Sequence, residues 1–188
     1  VKKKPMCYAG GDVNAPCWIH QYAFARNAFA SYMITALWLK DELNEQEFKI
    51  VDRYIEKMYK KFLKPIEFHK EEQGFYQLAN GGTAILVYAS WTNNKKLAAK
   101  EINFRFKEMN RLFYEDGYIN NNSFRGTKAQ HYHSMGLNIA LGYVYIADLW
   151  GAEVPKKLQK KLVKASEVAN LAITDWDKFT SRKYSGTQ

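Results

Sequence analysis

Between Gly117 and His133 the sequence reads GYINNNSFRGTKAQHYH, and it gathers Arg125, Lys128, His131, Tyr132 and His133 into one loop and the helix after it. If that helix begins near Gly126, offsets of three, four, seven and eleven put Arg125, Lys128, Ala129, Tyr132 and Gly136 on one stripe. The helix N-terminus adds backbone N–H donors and partial positive charge to the same space. Gly126 and Gly136 leave room for a ligand or a second backbone. A phenol beside cations gives up its proton more readily than one in water, so it can both take and return a proton. With a guanidinium to neutralise a carboxylate, this is the equipment for β-elimination on a uronic acid. The adjacent C–H must become acidic, its proton must be taken, and the departing glycosidic oxygen must be protonated. The same spacing also fits a plainer reading, with Tyr132 a core aromatic and Arg125 a surface residue at a helix start.

The remaining titratable groups carry less. His131 and His133 stand two apart and diverge on a helix, so they cannot chelate one metal, and no metal site is expected. One of the two is expected to pack or to face solvent without chemistry. His20 reads as structural, and His69 sits in the charged segment Phe68 to Glu72. Asn80-Gly81-Gly82 could cradle a carboxylate, but a lone glycine pair is weak. The lysine pairs at 60–61, 95–96, 156–157 and 160–161 read as solvated helix faces.

The elements that must position these groups are helical. Apolar residues recur at helical spacing from Trp18 to Lys40 and from about Glu45 to Leu63, where Pro65 stops the run. On the second of these, Phe48, Ile50, Val51, Tyr54, Ile55, Met58, Tyr59 and Phe62 form the expected buried side. Ile66 to Gly82 is looser and ends in a turn signal at Asn80-Gly81-Gly82. Thr83 to Trp91 reads as a short helix, although Ile85, Val87 and Tyr88 equally suit a strand. Thr92-Asn93-Asn94 is a turn and cap before a helix to about Tyr114. Asp116-Gly117 breaks the chain, a helix spans about Gly126 to Leu149, and a last one follows Pro155 to about Trp176. The expected fold is all-α, with antiparallel helix pairs in a single domain over residues 1–188. About 1–17 and 177–188 are expected to be irregular. Short connections place successive helices side by side, as in bundles, solenoids and toroids.

Composition bounds the partners. The 188 residues are 47% hydrophobic and 25% charged, ordinary for a globular chain, while aromatics reach 15% and the net charge is +9. Such a chain suits a polyanion: an acidic polysaccharide, a nucleic acid or an anionic membrane surface. The basic residues scatter over several helices and no nucleic-acid motif is present, which argues against nucleic acid. No run has the apolar length of a membrane span. Cys7 and Cys17 could close a short disulfide in an oxidising compartment or stand as two thiols. The chain begins at Val1 without a signal-peptide pattern, as expected of a processed or partial chain.

Arg125-Gly126-Thr127-Lys128-Ala129-Gln130-His131-Tyr132-His133 resembles the Arg-x-x-(Arg/Lys)-Ala-x-x-Tyr-His signature of the alginate (poly-mannuronate) lyases of the α/α-toroid type. Thr92-Asn93-Asn94-Lys95-Lys96, the helix after Cys17, and the tail from Phe179 to Gln188 are similar to that family more weakly. The resemblance implies a partial (α/α) toroid and a polysaccharide lyase that needs no metal or other cofactor. It implies that Tyr132 is proton acceptor and donor, that Arg125 and Asn80 engage the carboxylate, and that His133 lies at the site in a less certain role. Lys128, His131, Trp18 and Tyr22 would contact an acidic polysaccharide, with the aromatic rings as stacking subsites. A periplasmic or secreted location goes with it. The region corresponding to the family's Asn-Asn-His motif runs from Gln77 to Thr83, where Asn80 can stand in for the amide and no histidine is present. A shortened chain of this kind could instead be a non-catalytic glycan-binding module or a structural, virion-associated one.

Overall fold

A computed structural model describes the backbone of residues 17–64 and 75–183, and the side chains of 28–64 and 82–183. Seven α-helices make up this part: α1 (Cys17–Trp38), α2 (Glu45–Met58), α3 (Phe75–Trp91), α4 (Lys95–Leu112), α5 (Ala129–Leu149), α6 (Lys156–Thr174) and α7 (Trp176–Ser181). Among the described residues there is no strand, only an isolated antiparallel bridge between Phe113 and Ile119.

Local chemistry sets several boundaries. Asn44 starts α2 with a reciprocal cap: its side-chain oxygen accepts from Gln46 and Glu47 N–H at 3.0 Å, and the Glu47 carboxylate accepts from the Asn44 N–H at 2.9 Å. Asn94 caps α4 through the Leu97 N–H and Asp175 caps α7 through the Lys178 N–H, both at 3.0 Å. At the end of α5, Gly151 takes φ +72°, and the N–H groups of Gly151 and Ala152 return to the carbonyls of Asp148 (2.7 Å) and Ala147 (3.1 Å). That is a Schellman closure, available to glycine without steric cost.

The helix α3 is the hub. It packs against α1, α4 and α5, while α6 packs against α4, α5 and α7. The three-residue turn Thr92–Asn94 sends α4 back along α3, α1 and α5 each pack on α3 as well, and α6 packs on both α4 and α5. The larger core joins Leu86, Ile102, Phe106, Met109, Leu112, Leu137, Tyr143 and Leu162 between α3, α4, α5 and α6. A second core, Phe29, Met33, Ile55, Leu63, Ile85 and Trp91, holds α1 and α2 to the other side of α3.

Three expectations change. First, α3 begins at Phe75 and runs straight through Asn80-Gly81-Gly82. A Cβ on Gly82 would come within 2.7 Å of Glu101 Oε1, 2.8 Å of Arg105 Nε and 3.0 Å of Tyr143 Cε2. This glycine therefore serves close helix packing rather than a turn, and Ile85 to Tyr88 are helical. Second, Ile50 and Tyr54 are 60% and 44% exposed, so the buried side of α2 is narrower than its apolar count, centring on Ile55. Third, residues 176–181 are helical, because Phe179 is buried against Tyr118 and the tail folds back to cover the aromatic cluster. Cys7, Pro65, His69 and the chain from 184 onward lie outside the described residues, as do the side chains of Cys17, Trp18, His20, Tyr22 and Asn80.

Candidate functional site

The loop before α5 is built by bonds that leave it little freedom. After α4, Tyr114 N–H donates to the Tyr118 carbonyl at 2.8 Å, Gly117 N–H to the Tyr114 carbonyl at 3.1 Å, and Asn120 N–H to the Leu112 carbonyl at 2.8 Å. Gly117 has φ +90°, and a Cβ there would lie 2.4 Å from the Lys164 backbone, so this turn rests directly on α6. Asn122 is fully buried, and its amide donates to the Tyr132 carbonyl at 3.0 Å. Only the bare Cα of Gly136 permits this approach, since a Cβ would sit 2.5 Å from Asn122 Nδ2.

A second lock runs through Ser123 and His133. The Ile119 N–H donates to Ser123 Oγ at 2.7 Å, Ser123 Oγ meets His133 Nδ1 at 2.8 Å, and His133 Nε2 meets the Ala165 carbonyl at 2.9 Å. A carbonyl only accepts, so Nε2 carries the proton and Nδ1 accepts from the serine hydroxyl. Burial pushes the imidazole below its ordinary value of 6.5, against a smaller opposing effect of the Ala165 carbonyl. With zero exposure and both ring nitrogens committed, His133 joins the loop to α5 and α6 and does not face a substrate. The expectation of His133 among the reacting groups is corrected on that geometry.

Arg125 and Tyr132 do come together, though not by the stripe the spacing suggests. Helix α5 starts at Ala129, after two 3₁₀ turns at Asn122–Phe124 and Gly126–Lys128, and Gly126 adopts φ +55°. Arg125 is therefore a loop residue with φ −98° and ψ 37°, and the turn folds its guanidinium over the Tyr132 ring at 4.5 Å. Both side chains are half-buried, and the exposed His131 ring meets Tyr132 edge-on at 5.3 Å. Lys128 is exposed on the adjoining turn. Asn80 lies on α3 two residues before Gly82, whose neighbour on α5 is Tyr143, eleven residues beyond Tyr132, so α3 does not bring it to the Arg125–Tyr132 pair.

The loop is backed by an aromatic stack. Tyr118 lies between Phe124 at 5.7 Å and Phe179 at 5.6 Å, and its hydroxyl donates to the Phe179 carbonyl at 2.8 Å. Arg182 covers Tyr114, Tyr118 and Phe124 at 4.8, 5.1 and 5.3 Å and pairs with Asp116. Burial, then the Asp116 charge, raise the Tyr118 phenol above its ordinary 10.0, while Arg182 opposes them. Tyr118 is accordingly a neutral donor that ties down the loop.

The sequence reading missed one charged cluster. Glu101 and Arg105, buried on the inner side of α4, pair at 3.0 Å beneath Gly82 and beside Tyr143. Glu101 Oε2 and the Tyr143 hydroxyl make no hydrogen bond within the described structure. Burial raises the Glu101 carboxyl despite Arg105, and it raises Tyr143 well above 10.0. The available signal was an i,i+4 charge pair interrupting the apolar face of α4.

Among the described residues no set of three or more His, Cys, Asp or Glu side chains could hold a metal ion, and no helix is long and apolar enough to cross a membrane. Comparison with protein-family models, with curated proteins and with solved structures finds no match to this chain.

Proposed function

We propose that this chain is a partial (α/α) toroid that acts on an acidic, uronate-containing polysaccharide by β-elimination. The observation that carries the reading is the Arg125 guanidinium held 4.5 Å over the Tyr132 ring, at the edge of a braced loop. The return of α4 along α3 and the packing of α6 on α4 and α5 support the toroid element of it.

In this reading Arg125 neutralises the uronate carboxylate, and Lys128 and His131 hold neighbouring charges of the chain. Tyr132, as phenolate, takes the proton from the carbon beside the carboxylate. The electron pair left behind forms the carbon–carbon double bond as the glycosidic C–O bond breaks. Tyr132 then returns its proton to the departing oxygen, so no proton is gained or lost overall. His133 has no part in the transfer. Trp18 and Tyr22 of α1 are proposed stacking contacts, and a periplasmic or secreted location accompanies the substrate.

The test is incubation of the whole chain with several polyuronates while following the ultraviolet absorbance of the unsaturated product. Absorbance that grows with wild type and not with Tyr132→Phe supports the reading, and none with any polyuronate removes it. A second reading, glycan binding without cleavage, is favoured by Gly82. That position, within the segment matching the family's Asn-Asn-His, has no room for an imidazole above Glu101 and Arg105. Saturable binding with no product would select it.

A further inference from the structure

A cleft of about 760 Å³ opens between α4 and the turn joining α5 to α6. Its volume falls in the range of small-ligand sites. Ala98, Ile102 and Phe106 form an apolar floor, Trp150 forms one wall, and Lys95, Asn103 and Lys107 line the side of α4.

Trp150 is well placed to act as a platform. It packs against the larger core, so one part of the ring is fixed, and the Schellman closure at Gly151 and Ala152 holds its backbone. The ring still lines the cleft, giving an apolar face to the C–H side of a sugar and an indole N–H to a hydroxyl. Lys95 and Lys107 have no ion pair with any described residue, whereas Lys157 at the rim is shared with Glu115 at 3.0 Å. Asn103 is exposed and can both give and accept a hydrogen bond.

The charge pattern narrows the ligand. No arginine, whose planar fork suits phosphate best, lines the cleft among the described residues, and the carboxylate of Glu153 stands among the lysines. Glu153 repels a phosphate dianion more than a singly charged carboxylate and readily accepts a hydroxyl. We infer that the cleft between α4 and the α5–α6 turn binds a short carboxylated oligosaccharide, with Trp150 as stacking platform and Lys95 and Lys107 as carboxylate contacts. This site is separate from the Arg125–Tyr132 pair. Tyr132 and Trp150 sit at opposite ends of α5, about 27 Å apart at ~1.5 Å per residue. It does not depend on the elimination reading.

The experiment is a titration of the full-length chain, carrying Tyr132→Phe so that the probe stays intact, with a four-residue oligomannuronate. The indole N–H of Trp150 and the side-chain amide of Asn103 are followed by heteronuclear NMR. Both signals should shift saturably, and Lys95→Ala with Lys107→Ala should weaken that titration about tenfold, as expected for losing two exposed charge contacts. Lys95→Arg with Lys107→Arg should restore most of it. Maltotetraose, which has no carboxylates, should shift them far less. The inference is overturned if neither signal moves with oligomannuronate, if the double alanine variant titrates like its parent, or if maltotetraose binds equally well. It is also overturned if only inorganic phosphate or an oligonucleotide produces the shifts. Failure here leaves product formation at Tyr132 untouched, and loss of that activity leaves this titration untouched.

Discussion

The Arg125 guanidinium lies 4.5 Å above the Tyr132 ring, although Arg125 stands outside the helix that carries Tyr132. The pairing is made by the turn at Gly126 and by the buried Asn122 amide, which fastens the loop to the Tyr132 carbonyl.

Tyr132→Phe keeps the ring and its cation contact and deletes only the hydroxyl. Polyuronate cleavage should fall by about 10²–10⁴-fold, the usual contribution of a positioned acid–base group, with the thermal midpoint nearly unchanged. Steady-state rates beside a melting curve check this, and full retained turnover would take Tyr132 out of the mechanism. Arg125→Lys should recover only part of what Arg125→Ala loses, because an ammonium lacks the flat guanidinium that stacks on the ring.

His133 predicts a pH dependence of stability. Its folded value lies below 6.5, so the unfolded chain binds the proton more readily. Stability from this group is complete above pH 6.5 and is lost as pH falls from 6.5 to the lower folded value; below that its slope vanishes. Melting the wild type and His133→Phe across this range isolates the effect as their difference. Glu101, pushed upward by burial, contributes with the opposite sign in both proteins and cancels. His133→Phe should also be less stable at neutral pH, by about 1–3 kcal/mol for each partner left without a hydrogen bond. Equal pH slopes would exclude the assignment.

The Glu101–Arg105 pair should behave as a unit. Arg105→Met alone strands a carboxylate at zero exposure and should cost about 3–5 kcal/mol. Replacing both as Glu101→Leu with Arg105→Met should cost far less than the two single changes added together. Chemical denaturation of the three variants supplies the comparison, and simple additivity would show that the two side chains do not act as a pair.

Two glycines with positive φ separate backbone strain from crowding. Gly126→Ala meets open space and should cost only the left-handed penalty, about 1–2 kcal/mol. Gly117→Ala carries that penalty and also drives a Cβ to 2.4 Å from the Lys164 backbone, so it should be much the worse of the two. Comparable unfolding midpoints would contradict the contact between the loop and α6.

Helical spacing of apolar residues sufficed for α1, α2 and α4, and the breaks at Asp116-Gly117, Gly151 and Pro155 delimited α5 and α6. It failed at α3, where Gly81 and Gly82 read locally as a turn. What decides there is tertiary: the space a side chain would occupy at Gly82 is taken by Glu101, Arg105 and Tyr143 from two other helices. The candidate site divides in the same way. Nearness of Arg125 and Tyr132 followed from their separation along the chain, but the geometry that delivers it depends on Gly126 and Asn122. Nothing local distinguishes the core-bound His133 from the exposed His131, because burial of His133 is set by Ala165 on α6.

The hydroxyl of Tyr118 and the carbonyl of Phe179 are joined across 61 positions of sequence, and Arg182 closes over the same rings. During synthesis, then, the loop bearing Arg125 leaves the ribosome well before the residues that brace it. The chain can assemble α1 to α6 first, and the aromatic backing of the loop is complete only when α7 docks.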